Sequence, residues 1–219
     1  QGFRLNFAKC NITEVLKETH VRFTSLAKQK GLEFTLQVPE KDFYAHVNQE
    51  AFTKIISNLL NNGMKYAESY VHVMLEIPET DDDNLFRIRT VNDGVIIPDE
   101  MKEEIFKPFV RFNEQEDGKV TTGTGIGLAL SRSLAELHQG TLAMETGEES
   151  NIFCLTLPVV QDMTITLTPE AEVEIDRVNE IPAEQAGRKD NRPTVLVVED
   201  NPDMLTFVVR QLSRDYTAL

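Results

Sequence analysis

Residues 91–98 read VNDGVIIP, and the alternating run LFRIRT leads into them from Leu85. Asn92-Asp93-Gly94 therefore admits two readings. One is a tight hairpin turn between apolar runs, the commonest use of such a tripeptide. The other is a turn that sets a small polar residue and a bare glycine backbone against a flat ligand ring. The eight residues do not choose between them, so the decision rests on what surrounds them.

The surroundings are those of a globular chain. A hydrophobic fraction of 41% over 219 residues supports a packed core, enough for one domain and part of another. No apolar run approaches the ~20 residues that cross a bilayer, and the start, QGFRLNFAKCN, lacks the basic-then-apolar order of a signal peptide. Cys10 and Cys154 have no His or Cys neighbours at metal-binding spacing, which argues against a zinc site or a disulfide framework and assigns both to packing. A net charge of −14 argues against a broad nucleic-acid surface, which works by neutralising phosphates with Lys and Arg. An anion would have to be bound locally, by backbone N–H groups, a metal ion and a few placed cations.

Periodicity predicts the elements. Val15, Leu16, Thr19, Phe23, Leu26 and Ala27 mark a helix over 12–30, capped by Gly31. Alternation from Leu32 to Val38 predicts a strand, and Gln49 to Tyr66 carries a broad apolar stripe that predicts a second helix. Strands follow at Val71–Ile77 and Leu85–Thr90, joined across the acidic loop TDDDN. A helix start is expected at Asp99–Phe106, then a polar, mobile stretch NEQEDGKVTTGTG, a helix over Leu128–His138, and a final strand pair at Thr141–Glu145 and Ile152–Leu157. Residues 161–193 are an acidic linker: within 168–192 seven Asp or Glu stand against four Lys or Arg. A second domain opens at Thr194, where VLVV is the continuous apolar run of a covered parallel strand; Glu199 and Asp200 lie at its C-terminal end, where open α/β sheets bind ligands.

Three stretches carry chemistry. Asn58, Asn62 and Lys65 fall at i, i+4 and i+7 and share a helix face; they are either a solvated surface or amide oxygens for a hard cation beside a phosphate-binding Lys. Gly123-Thr124-Gly125-Ile126-Gly127 precedes Leu128 at a helix start, the make-up of either a flexible hinge or an anion site. It matches neither the Rossmann nor the P-loop pattern. Phe106 and Phe109 flank Pro108 just before the polar stretch and would anchor it.

Taken in order, these motifs resemble the catalytic, ATP-binding domain of sensor histidine kinases. Asn58-Leu-Leu-Asn-Asn62-Gly-Met-Lys65-Tyr66 is similar to that family's NLLxNAxKY helix, Gly123 to Leu128 to its GTGLGL, and Phe106 with Phe109 to its phenylalanine box. The ending TVLVVEDNPDML resembles the first strand and acidic pair of a response-regulator receiver, which together imply a hybrid kinase. The expected fold is an α/β two-layer sandwich of a mixed sheet and helices (1–160), then the linker (161–193) and the first βα unit of a flavodoxin-like receiver (194–219), broken off 26 residues in.

The resemblance implies ATP and Mg2+ as cofactors. Asn62 and Asn58 would reach Mg2+, Lys65 and Tyr66 would lie along phosphate and sugar, and Asn92, Gly94 and Ile97 would take the adenine. Phe109 and Arg111 would border the lid, Lys119 would join Arg111 near the γ-phosphate, and Gly123, Thr124, Gly125, Ile126, Gly127 and Leu128 would wrap the phosphates. Glu199 and Asp200 would hold the receiver's own Mg2+. Two positions depart from the family's DxGxGIP: Asn92 stands for the adenine-binding Asp and Ile96 for the second glycine. The implied partners are an upstream dimerisation and phospho-acceptor histidine domain, not contained in the fragment, and the receiver. The fragment is expected to be a cytoplasmic monomer from a homodimeric, membrane-anchored parent, without nucleic-acid binding. The rival readings are another ATPase of the superfamily, which would carry Glu where Asn58 stands, and a nucleotide-free pseudokinase serving as a docking module.

Overall fold

The computed structural model describes residues 6–80, 84–112, 125–147, 149–160, 193–198 and scattered positions from 205 to 218. The expected mobile stretch 113–124 and the residues Gly123, Thr124, Glu199 and Asp200 lie outside them. The chain divides into two compact units, Asn6–Gln161 and a second containing Asp162–Leu219.

The larger unit is built on a five-stranded mixed sheet with helices on one face. Its strands are β2 (Glu33–Gln37), β4 (Tyr70–Glu76), β5 (Leu85–Asn92), β6 (Thr141–Thr146) and β7 (Asn151–Pro158), in the order β2-β4-β5-β7-β6. β2 runs parallel to β4 and every other pair is antiparallel. Alternation does the work expected of it: Val71, Val73 and Leu75 of β4 and Phe86, Ile88 and Thr90 of β5 are buried, whereas Arg87 and Glu76 face out. The helices α1 (Ile12–Lys30), α2 (Gln49–Tyr66) and α3 (Gly127–Leu137) pack over that buried face. The apolar stripe of α2, from Phe52 through Ile55, Ile56, Leu59 and Leu60 to Met64, is fully buried and forms the centre of the core.

The helix ends follow local chemistry. Asn11 and Asn48 cap α1 and α2, their side-chain oxygens accepting from Glu14 N (3.2 Å) and Ala51 N (2.9 Å). Gly31 ends α1 in the left-handed conformation (φ 71°), as the sequence predicts. Both cysteines are buried and free.

Two expectations need correcting. The helix expected at Asp99–Phe106 is instead two separate 3-10 turns, Asp99–Met101 and Glu104–Phe106. Neither has a side-chain cap, and burial of Ile105 and Phe106 takes precedence over continuous helix. Two short strands also went unforeseen: β1 (Ala8–Asn11) and β3 (Tyr44–Val47) pair antiparallel with each other, apart from the main sheet.

In the second unit, β8 (Thr194–Val195) pairs in parallel with β9 (Thr217–Ala218). Leu205, Val208, Val209 and Leu212 between them are helical.

Candidate functional site

The opening stretch ends β5 beside the C-terminus of α2. Its three residues have three different tasks. Asp93 turns toward the backbone after α2: its carboxylate accepts from Glu68 N (3.1 Å), Ser69 N (2.9 Å) and Tyr70 N (3.1 Å), and from the Ser69 hydroxyl. Burial pushes the Asp93 carboxyl up, but the Ser69 hydroxyl and the three N–H groups outweigh it and hold the pKa at about 2. Gly94 lies so near α2 that a Cβ there would collide with the Tyr66 carbonyl oxygen and sit 2.8 Å from its carbon. The glycine is thus required by backbone packing against α2. Only Asn92 is left to face inward.

Asn92 is 3% exposed and lines a cavity of about 310 Å3, and its side chain makes no hydrogen bond among the described residues. Arg89 Nε is the one fully buried side-chain nitrogen or oxygen without a partner among the described residues, so the Asn92 amide is not sealed off and opens on the cavity. Opposite it in the β5–β7 register stands Asn151, 2% exposed. Its amide is fully used: Oδ1 accepts from Ile97 N (3.0 Å), and Nδ2 donates to Gly94 O (3.2 Å) and Val95 O (3.0 Å). Asn151 therefore fixes the loop 94–97 over the cavity mouth. Ile96, the awkward departure, is 37% exposed and does not line the cavity; Val95 and Ile97 do.

The far side of the cavity is made by α3 and the phenylalanine segment. Gly125 (φ 72°) and Phe109 (φ 65°) are both left-handed, and Phe109 N donates to Gly125 O (3.0 Å). A Cβ on Gly125 would lie 2.9 Å from Phe109 Cα, so the close approach of these two backbones demands glycine. No side chain caps α3, whose first-turn N–H groups open beside Gly127 and Leu128 on the cavity wall. Phe106 is buried edge-on to Phe153 (centroids 6.5 Å apart), with the Arg132 guanidinium 3.7 Å above its ring. Arg132 also donates to Glu103 (2.7 and 3.3 Å) and to Leu142 O (3.1 Å), tying α3 to the 3-10 turns and β6.

Of the residues singled out from sequence, Asn62, Lys65, Tyr66, Asn92, Ile97, Arg111, Gly125, Gly127 and Leu128 line this one cavity. Asn58, Gly94, Phe109 and Ile126 do not. Asn58 instead donates through Nδ2 to Gly127 O (3.2 Å) and Ser131 Oγ (3.1 Å), joining α2 to α3 beneath the cavity. The Lys65 ammonium sits 4.7 Å from the Tyr66 ring. Asn61, Val95, Asn151 and Phe153 also line the cavity and were missed by sequence reasoning. No group of three or more His, Cys, Asp or Glu that could hold a metal occurs among the described residues. A cation here would be held by amide oxygen, chiefly Asn62, and by oxygens of a bound anion, which suits a hard ion such as Mg2+.

The profile of the histidine kinase-, DNA gyrase B- and HSP90-like ATPases matches residues 47–161, just over half of the chain. The chain belongs to this ATPase family. The matched range contains the whole cavity lining, from Asn61 to Phe153. Two relatives are matched over 99% of the chain: histidine kinase P4 of Formosa agariphila, 27% identical, and sensor histidine kinase TmoS of Ectopseudomonas mendocina, 28% identical. The chain spans only 17% and 23% of their lengths. Among solved structures, the nucleotide-free catalytic domain of histidine kinase ThkA superposes with a TM-score of 0.62 at 23% identity, over 71% of this chain and 97% of that one. Full-length ShkA in complex with AMPPNP gives 0.61 at 17% identity, over all of this chain and 42% of that one. The fold of this chain is that of histidine kinase catalytic domains.

Proposed function

We propose that this chain is the kinase portion of a hybrid sensor histidine kinase, binding Mg2+-ATP in the cavity between α2, α3 and the loop 94–97. The single observation that carries the reading is Asn92: a residue only 3% exposed whose amide, without a side-chain hydrogen bond to a described residue, opens on a purine-sized cavity. Such an amide can accept from the adenine N6 amino group and donate to N1. Val95, Ile97, Ile105 and Phe153 supply apolar walls for the ring, and the open N-terminus of α3 with Gly125 and Gly127 supplies N–H groups for phosphates. Asn62 would hold Mg2+, whose role is to neutralise phosphate charge. Lys65 and Arg111 bring the cations that line the cavity. Asn58 supports the site through α3, the Asn58 carbonyl oxygen remaining for the cation's water shell.

Phosphoryl transfer rests mainly on positioning and charge neutralisation, which this arrangement offers without a nucleophile of its own. The acceptor in this reading is a histidine on a dimerisation domain elsewhere in the parent. His138 is unsuited to that role, being fully buried with both ring nitrogens engaged. Residues 194–219 are read as the start of a receiver whose Glu199 and Asp200 bind Mg2+, with 161–193 as linker; the parallel β8–β9 pair around a helical segment, and relatives matched over 99% of the chain, support this. No described helix is long and apolar enough to cross a membrane. We place this part in the cytoplasm, as a monomeric piece of a dimeric, membrane-anchored sensor.

The test is calorimetric titration with a non-hydrolysable ATP analogue, with and without Mg2+, on the natural chain and Asn62→Ala. Micromolar binding that weakens at least tenfold without Mg2+ and in the variant supports the reading. Absence of binding would leave a nucleotide-free docking module.

A further inference from the structure

The two cavity asparagines differ in one respect that bears on which bases the site takes. Asn151 is locked: its oxygen must face Ile97 N and its NH2 must face the carbonyls of Gly94 and Val95, because the reverse would set donor against donor. Asn92, its register partner, has no such bond among the described residues to fix which end of its amide faces the cavity. Asp93, the carboxylate in the turn, is committed to Glu68, Ser69 and Tyr70 and faces away. No Asp or Glu is among the described residues that line the cavity. The base edge is therefore met by an amide that can rotate, where a carboxylate would offer acceptors alone.

We infer that the pocket accepts 6-oxopurine nucleotides, inosine and guanine, alongside adenine nucleotides, with Asn92 as the residue that sets this breadth. The inference rests on the nucleotide reading of the cavity. Adenine presents a donor at N6 and an acceptor at N1; a 6-oxopurine presents an acceptor at O6 and a donor at N1. These are mirror patterns. Half a turn about the terminal torsion of Asn92 exchanges its C=O and NH2 and satisfies either, and that torsion is broad and two-fold. A carboxylate at the same place has acceptors alone and leaves one edge atom unmatched with either base, N1 of adenine or O6 of a 6-oxopurine, so only the amide pairs fully with both. The fixed loop 94–97 and the apolar walls hold either ring in the same position, so the edge pattern alone distinguishes the bases.

The experiment is titration of the whole chain and of Asn92→Ala with Mg2+ and three diphosphates: ADP, IDP and GDP. Inosine carries the test because it has the 6-oxo edge without the 2-amino group. On the natural chain, IDP is expected within about tenfold of ADP, and Asn92→Ala should weaken ADP and IDP alike, each by at least about tenfold, the scale of lost buried hydrogen bonds. The inference is overturned if ADP binds the natural chain more than a hundredfold tighter than IDP, or if the substitution weakens only one of the two nucleotides or neither. GDP binding without IDP binding would also overturn it, since the 2-amino group rather than the rotated amide would then hold the base. The ADP-to-IDP ratio of the natural chain decides even where the variant is unstable. Failure of ADP itself to bind would instead sink the nucleotide reading and the inference with it.

Discussion

Replacing Asp93 by asparagine removes the charge on which three backbone N–H groups and a hydroxyl converge, while changing the side chain's shape very little. Its size can be worked from the carboxyl's position. A fall from the ordinary 3.8 to about 2 corresponds to a limit of about 2.4 kcal/mol. The carboxylate is partly exposed, so solvent screening brings the expected loss to about 1–1.5 kcal/mol. The sign with pH follows from the direction of the shift. The folded value lies below the unfolded one, so the contribution is complete above about pH 4 and is lost as pH falls through about 2. Urea titrations of natural chain and Asp93→Asn should therefore differ by about 1–1.5 kcal/mol from pH 7 to pH 5, and the gap should narrow on going to pH 3. A gap under about 0.3 kcal/mol at pH 7, or one that stays constant to pH 3, would refute the reasoning.

Gly94→Ala should cost about 1–3 kcal/mol by forcing β5 away from the Tyr66 carbonyl, and should weaken nucleotide binding with it; urea titration and calorimetry check both. Arg132→Ala should cost about 1–2 kcal/mol through loss of the Phe106 stack and the bonds to Glu103 and Leu142 O, seen as a lower melting temperature. His138 accepts from Asn48 N through Nε2 (3.2 Å) and bonds Leu134 O through Nδ1 (2.7 Å), and burial holds its pKa below the usual 6.5. The unfolded chain takes up this proton first, so stability should fall as pH drops below 6.5; His138→Gln should flatten that slope in urea titrations between pH 7 and pH 5.

Long periodic segments were legible because each encodes its own buried face: α1, α2, α3 and the five strands of the main sheet all appear where alternation or helical spacing puts them. β1 and β3 were not, since four residues carry too little pattern and their pairing joins Cys10 to Ala45 across the whole of α1. The Asp99–Phe106 helix failed because Ile105 and Phe106 are drawn into the core, a tertiary demand that local propensity does not contain. At the site, glycines and asparagines marked the right region but not every task. Gly94 serves the α2 backbone, and Asn58 serves α3, because each answers to a partner distant in sequence. Asn151 escaped notice for the same reason: it holds residues 54 to 57 positions away, and nothing in ESN announces this.

The most direct test is a crystal structure of the chain grown with an ATP analogue and Mg2+. The account predicts the adenine edge within hydrogen-bonding distance of the Asn92 amide, the phosphates at the N-terminus of α3, and Mg2+ bound to Asn62 oxygen. Clear density for the analogue with its base away from Asn92, or an empty cavity at millimolar analogue, would contradict it.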